Sequence, residues 1–251
     1  MDDTENMQNY YGSLCTEMYE KLHGEAPEDE LEFYLSYAAP GMRILEPLCG
    51  SGRFLVPFEQ RGFDITGVDL SKEMLDKLEE KSPGAKTLLA DVTRCPDIGP
   101  FDYIFIPSGS LSLFTDDETC RRALAALRAM LAPGGVFVFS VDTVNSIRYS
   151  EEPVLDACVD MGRGKTLTLK STYDFDEKAR VLLAPGLYEL KEGDSLLRSE
   201  TMDFRIRLYE VGEMERILDE IGFSSVRAYS SFDKTGNPSN DCDCFIYECR
   251  P

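Results

Sequence analysis

Glu46, Gly50, Gly52 and Asp69 are the residues of this chain whose types and spacing could do chemistry. In the run Arg43-Ile44-Leu45-Glu46-Pro47-Leu48-Cys49-Gly50-Ser51-Gly52-Arg53, the apolar pair Ile44 and Leu45 delivers a carboxylate to the end of a buried strand. The two glycines lack Cβ atoms, so a ligand can lie directly on the backbone and its N–H groups. Asp69 closes a second short apolar run, Ile65-Thr66-Gly67-Val68. An acid at that point can accept both hydroxyls of a ribose in the crevice beyond the strand ends. The chemistry implied is nucleotide recognition.

A dinucleotide fingerprint would need a third glycine at position 55, where this chain has Leu55. A pyrophosphate also disfavours a carboxylate beside the turn, whereas Glu46 suits a ligand with an ammonium group. The segment resembles the first motif of the class I S-adenosylmethionine (SAM) dependent methyltransferases, whose acid lies near the methionine moiety. One departure is visible. The family's usual first glycine is Leu48 here, so the turn is expected to be slightly wider.

Three further segments follow in the family's order. Leu88-Leu89-Ala90-Asp91-Val92 reads as a strand ending in an acid, to which the resemblance gives the adenine amino group. Phe101 to Pro107 is a strand running into the loop Ser108-Gly109-Ser110, and Pro133-Gly134-Gly135 is a turn before a fifth strand, Val136 to Phe139. The resemblance implies SAM as cofactor and S-adenosylhomocysteine (SAH) as product. It implies cofactor contacts from Tyr11, Glu46, Leu48, Cys49, Gly50, Gly52, Asp69, Leu70, Met74, Asp91, Val92 and Pro107. Asp69 is expected to serve the ligand alone, so its removal should leave the apo chain's stability almost unchanged.

The elements that position these residues alternate. Phe54 to Arg61 is a short helix, Ser71 caps another with Met74, Leu75 and Leu78 toward the sheet, and Asp116 or Asp117 starts a third. Strand–helix alternation implies a parallel sheet with right-handed crossovers. The expected fold is α/β: a Rossmann-like, seven-stranded, mostly parallel sheet with helices on both faces. Residues 1–40 form a helical cap, with Leu14, Met18 and Leu22 as one apolar stripe and a second helix starting at Pro27. The cofactor core spans 41–142, an inserted antiparallel lid 143–209, and a closing helix and strand pair 210–251, all in one domain. In the lid, Lys165 to Lys170 alternates with period two, Asp176-Glu177-Lys178 and Lys191 to Asp194 are turns, and Thr201 to Tyr209 is the last strand. If its polar face, Asp203, Arg205, Arg207 and Tyr209, roofs the site, an arginine holds a substrate anion and Tyr209 orients the acceptor atom.

Composition narrows the substrate. The 251 residues carry 46 acids against 26 Lys and Arg, a net charge of −20, and no basic cluster longer than Arg121-Arg122. Such a surface argues against nucleic acid and tolerates cationic small molecules such as amines. No apolar run approaches a bilayer span and the N-terminus is acidic, so we expect a cytoplasmic protein, monomer or homodimer, with no membrane partner. The eight cysteines read as reduced thiols. Cys242-Asp243-Cys244 has the wrong spacing for zinc and the single histidine, His23, is remote in sequence, so no metal is expected. The reaction expected is in-line methyl transfer to a small-molecule O, N, S or C acceptor, with Tyr209, Ser108 and Tyr11 as catalytic candidates and Ser110 and Tyr149 behind them. Tyr10 is an alternative to Tyr11 at the methionine end. An NAD-dependent oxidoreductase and a non-catalytic SAM-binding regulator are the rival readings.

Overall fold

The computed structural model describes residues 8–94 and 98–251; the acidic N-terminus and Cys95 lie outside them. Strands β1 (Arg43–Pro47), β2 (Asp64–Asp69), β3 (Thr87–Leu89), β4 (Phe101–Ile106) and β5 (Leu131–Asp142) are mutually parallel. Numbering the strands in chain order, β6 to β11 belong to the insertion, and β12 (Ser225–Tyr229) and β13 (Cys244–Arg250) complete the main sheet. Its order is β12-β13-β5-β4-β1-β2-β3, and β13 is antiparallel to both neighbours. This is the seven-stranded, mostly parallel sheet that the sequence implies.

Helices α3 (Leu55–Gln60), α4 (Lys72–Lys81), α5 (Asp117–Ala129) and α6 (Glu213–Ile221) cover the two faces. Alternate residues of each strand feed separate cores, as a sheet buried on both sides requires. Ile104, Phe137 and Phe139 pack with Leu124, Leu127 and Leu218, whereas Tyr103, Phe105 and Val138 pack with Phe58 and Leu78. Ser71 Oγ accepts the Met74 N–H at 3.1 Å and Asp116 accepts the Thr119 N–H at 2.9 Å, so both expected caps form. Two boundaries differ from expectation. β3 stops at Leu89, leaving Asp91 in the following turn. The Pro-Gly-Gly segment is a bulge inside β5, which pairs Leu131 with Phe101 and resumes at Val136 beside Tyr103.

The insertion holds more strands than its sequence suggests. β6 (Ser150–Gly162), β7 (Lys165–Asp176), β8 (Val181–Leu183), β9 (Gly186–Glu192), β10 (Ser195–Met202) and β11 (Arg205–Arg207) form one antiparallel assembly centred on β7. Glu151, Glu152 and Pro153 at the start of β6 hide that strand, which is mostly exposed. Asp176 closes the expected turn, accepting the N–H groups of Lys178 and Ala179 at 2.9 Å each.

Helices α1 (Ser13–His23) and α2 (Glu28–Leu35) precede the sheet. Leu14, Cys15 and Met18 of α1 pack on Leu167, Tyr188 and Met202 of the insertion, a third core separate from the other two. Leu22 does not continue the stripe. It is 46% exposed, because the helix ends one residue later and Leu22 projects beyond the packed patch. No side chain of its own caps α1. Instead the Glu200 carboxylate of β10 accepts the N–H groups of Leu14 and Cys15 at 2.9 and 3.1 Å. A Cβ at Gly12 would stand 2.6 Å from that carboxylate, so glycine makes room for it.

A carboxylate on free N–H groups at a helix start stabilises both by hydrogen bonding and by the helix dipole. Glu200→Ala is expected to lower unfolding stability by about 1–2 kcal/mol in a denaturant titration. An unchanged midpoint would show that α1 needs no cap from the insertion.

Candidate active site

The site is assembled at the C-terminal edge of the parallel strands. After β1 the chain makes a left-handed step at Leu48 (φ 57°), then at Gly50 (52°) and Gly52 (79°). Leu48 thus adopts the conformation of the glycine it replaces, at a cost of about 1–2 kcal/mol, rather than widening the turn. Packing accounts for Gly52, where a Cβ would lie 2.8 Å from Leu78 Cγ. Gly67 of β2 leaves space for the Cys49 and Leu55 side chains, the former 2.7 Å from where its Cβ would be. Cys49 is therefore a packing residue.

Asp69 holds the turn as well as facing the opening. Its Oδ2 accepts the Gly50 N–H at 2.7 Å and its Oδ1 the Ser71 N–H at 2.8 Å. The expectation that Asp69 serves a ligand alone is corrected, since the apo backbone uses both oxygens. Asp91 is fixed by Thr93, whose N–H and Oγ1 donate to it at 2.9 and 2.7 Å.

A cavity of about 540 Å³ opens above this turn. Of the residues expected at the cofactor, Tyr11, Leu48, Gly50, Asp69, Leu70, Met74 and Asp91 line it. Glu46, Cys49, Gly52, Val92 and Pro107 do not: Val92 and Cys49 belong to the cores, and Pro107 is buried with its carbonyl accepting the Ser110 N–H. Glu46 is 2% exposed beneath the turn, and its Oε2 has no hydrogen-bond partner. Gln8, Asn9, Tyr10, Tyr19, His23 and Arg53 also line the cavity, without having been singled out from sequence for this role except Tyr10.

The cavity is closed by the strap from Gln8 to Tyr11. Asn9 donates to the carbonyls of Leu113 and Arg205 at 2.9 and 2.8 Å, and its Oδ1 accepts the Arg205 N–H at 2.8 Å. Tyr10 OH donates to Glu73 at 2.6 Å, and the Tyr11 carbonyl accepts Ser71 Oγ at 2.8 Å. Behind the strap lies a second cavity of about 420 Å³, lined by α1 and the insertion. Tyr11, Tyr19 and His23 line both cavities and form the wall between them. Tyr11 meets Tyr19 edge-on at 6.0 Å, and Tyr19 lies 5.4 Å from the imidazole of His23.

The catalytic candidates separate. Tyr11 stands at the junction. Ser108 (φ 54°) lines the first cavity with its N–H and Oγ engaged by the buried Glu30 of α2, at 2.7 and 3.1 Å. Tyr209 is not brought to either cavity. It is 1% exposed in the core, its hydroxyl 3.7 Å from Cys120 Sγ, because its backbone is bonded to Asp142 and Val144 at the end of β5. Ser110 lines the first cavity, while Tyr149 is 64% exposed and lines neither. The polar face of β11 is likewise turned away: Arg205 pairs with Asp203, and Arg207 with Asp117 and Glu213. Phe204 and Ile206 line the second cavity instead. No group of three or more potential metal ligands forms among the described residues.

Carboxylates dominate the electrostatics. Burial raises the pKa values of Glu30, Glu46 and Asp69, and that of Asp142 to about 6. Asp142, at the end of β5, fills the space over Gly109, where a Cβ would meet its Oδ2 at 2.6 Å. Burial pushes the Tyr11 hydroxyl well above its usual range, and Asp69 and Asp142 add to that. His23 is lowered by burial and by Arg53. Burial favours the neutral form of each of these carboxyls.

Comparison with known proteins agrees with this geometry. A family model described as a methyltransferase domain matches residues 44–135. A putative methyltransferase of Bacillus subtilis, YqeM, is 24% identical over 238 residues, covering 93% of this chain and 94% of its own. Among solved structures, the CcbJ methyltransferase from Streptomyces caelestis superposes with a TM-score of 0.75 at 20% identity, covering 96% of this chain and 97% of that one. SAM-bound CalS10, an amino pentose methyltransferase from Micromonospora echinaspora, gives 0.69 at 19% identity, covering 98% and 100%.

Asp142 gives a test of the electrostatics. Its folded pKa of about 6 lies above the model value of 3.8, so the folded chain binds more protons between those limits. Stability therefore falls as pH rises from about 4 to 6. Asp142→Asn is expected to raise unfolding stability at neutral pH by on the order of 2 kcal/mol, with no gain at the acid end. A variant that follows the parent at every pH would place Asp142 in a solvated setting.

Proposed function

The chain belongs to the class I SAM-dependent methyltransferases, and from that premise we propose that it methylates a small molecule held in the second cavity. The observation carrying this reading is the junction, where Tyr11, Tyr19 and His23 are shared by a cofactor-sized cavity at the strand ends and a second cavity between α1 and the insertion. A volume of about 420 Å³ is that of a small-molecule site. Its lining comes from α1 and the segment 143–209, and its wall is mostly apolar. A purely regulatory SAM-binding protein would have no need of such a chamber.

The residues present fit the cofactor. The orphaned Glu46 oxygen and the uncompensated acids suit a ligand with an ammonium and a sulfonium. Asp69 would take the ribose hydroxyls with its remaining lone pairs, and Asp91 the adenine amino group. Leu48, Gly50, Leu70 and Met74 would supply the walls, and Arg53 the partner for the amino-acid carboxylate. When bound, SAM supplies an electrophilic methyl group whose leaving group is a neutral thioether. The protein's task is then alignment and exclusion of water. The strap, held by Asn9 and Tyr10, closes one side. Glu30 fixes Ser108 on the other. Tyr11 keeps its proton over the working pH range, so it orients the acceptor as a donor and does not deprotonate it.

Calorimetry is expected to detect SAM and SAH binding and no binding of NAD. Binding of NAD in place of both SAM compounds would overturn the cofactor assignment and restore the oxidoreductase reading. Asp69→Ala should lose charge-assisted hydrogen bonds worth about 1.5–3 kcal/mol, a fall of roughly tenfold or more in SAH affinity. Because Gly50 and Ser71 lose their acceptor as well, the apo variant should also melt earlier. Unchanged SAH affinity would remove Asp69 from the site.

A further inference from the structure

Helix α1 begins without a cap of its own. Its N-cap position is Gly12, where a serine or aspartate would have served. The acceptor for its free N–H groups comes from the insertion, 186 and 185 positions away in sequence, as the Glu200 carboxylate. Period two along β10 turns Arg198, Glu200 and Met202 to the same side. All three meet α1: Arg198 donates to Ser13 Oγ at 2.5 Å, and Met202 Sδ lies 3.4 Å from Cys15 Sγ. Thr201, between the last two, is exposed.

The residue just ahead of Gly12 is Tyr11, which lines both cavities. Anchors on the insertion bracket it in sequence. Asn9 is bonded to Asp203 and Arg205, and the first turn of α1 to Glu200. On the cofactor side the Tyr11 carbonyl accepts Ser71 Oγ at 2.8 Å, and the Ser71 N–H donates to Asp69 at 2.8 Å. A continuous path of bonded groups thus leads from β10 through the start of α1 and Tyr11 to Asp69. Glu200 itself lines neither cavity.

We propose that Glu200 is a positioning residue for the cofactor, an inference that rests on the first cavity being the SAM site. Its carboxylate fixes the start of α1, and with it the path of Tyr11 and the strap across that cavity. Without the carboxylate, the Leu14 and Cys15 N–H groups lose their acceptor and the first turn of α1 frays. The strap then spends part of its time away from the closed arrangement. Cofactor binding must restore that arrangement, so the apparent affinity falls by the fraction of chains that hold it. A cap supplied by position 12 would stabilise α1 as well and leave the two regions independent. Drawing the cap from β10 makes the insertion, which lines the second cavity, a determinant of how tightly the first cavity holds its ligand.

The test is calorimetric titration of SAH into each protein, well below its melting temperature. Failure of the parent to bind SAH would overturn the cofactor reading beneath this one. With the parent binding, Glu200→Ala is expected to weaken SAH roughly tenfold. Gly12→Ala should give a similar loss, because the new Cβ would stand 2.6 Å from the carboxylate and displace it. Gly12 lies at φ −74°, so the alanine itself adds no backbone strain, and this variant carries the comparison if Glu200→Ala does not fold. The double variant should bind no more weakly than Glu200→Ala alone, since both changes remove one interaction. Asp176→Ala is the control for general loosening. It removes an acid of the same insertion that accepts two N–H groups and lines neither cavity, and should keep the parent's SAH affinity. Unchanged SAH affinity in Glu200→Ala would reduce Glu200 to a structural cap and overturn its positioning role. A tenfold loss in Asp176→Ala, or losses that add in the double variant, would overturn it too, and each leaves the methyltransferase reading standing.

Discussion

Removing carboxylates from water without giving them cations is costly, and this fold does so repeatedly at one edge of its sheet. Glu30, Glu46, Asp69 and Asp142 gather there, and backbone or hydroxyl donors satisfy only part of their capacity. That concentration can be held because the strands carrying three of them are locked between two apolar cores. The packed sheet is thus what permits a negative site to exist before any ligand arrives. Preorganisation of this kind means the ligand need not induce the charge pattern that recognises it.

Much of the cofactor side was legible from sequence because its signals are local. Glycine at positions of left-handed backbone, the acids Glu46 and Asp69 at the ends of β1 and β2 and Ser71 as a cap all announce themselves within a few residues. The contacts to the insertion and to α2 were not. Asn9 meets Arg205 across 196 positions and Glu30 meets Ser108 across 78, and no periodicity foretells such pairs. Tyr209 was misplaced for a definite reason. Period two holds through Arg205-Ile206-Arg207 and then ends, so the tyrosine follows the chain back to β5 and into the core.

Asn9 is the mechanical centre of the upper half. With its side chain bonded to the loop after β4 and to the start of β11, and its N–H bonded to Asp203, it ties the wall of the first cavity to the insertion. A disturbance on either side is felt at the same residue. Its own backbone is left-handed (φ 57°), a conformation that asparagine tolerates better than most residues.

The third hydrophobic core, between α1 and the insertion, has no member in common with the two that clamp the sheet. Side chains in it can therefore change size or polarity with little effect on the packing around the glycine turn, since distant sites with no shared neighbours perturb stability independently. Lineages descending from such a chain are free to reshape the second cavity by altering Met18, Met202 or Phe204 while inheriting an intact glycine turn. Evolvability is here a matter of where one cluster of apolar contacts stops and the next begins.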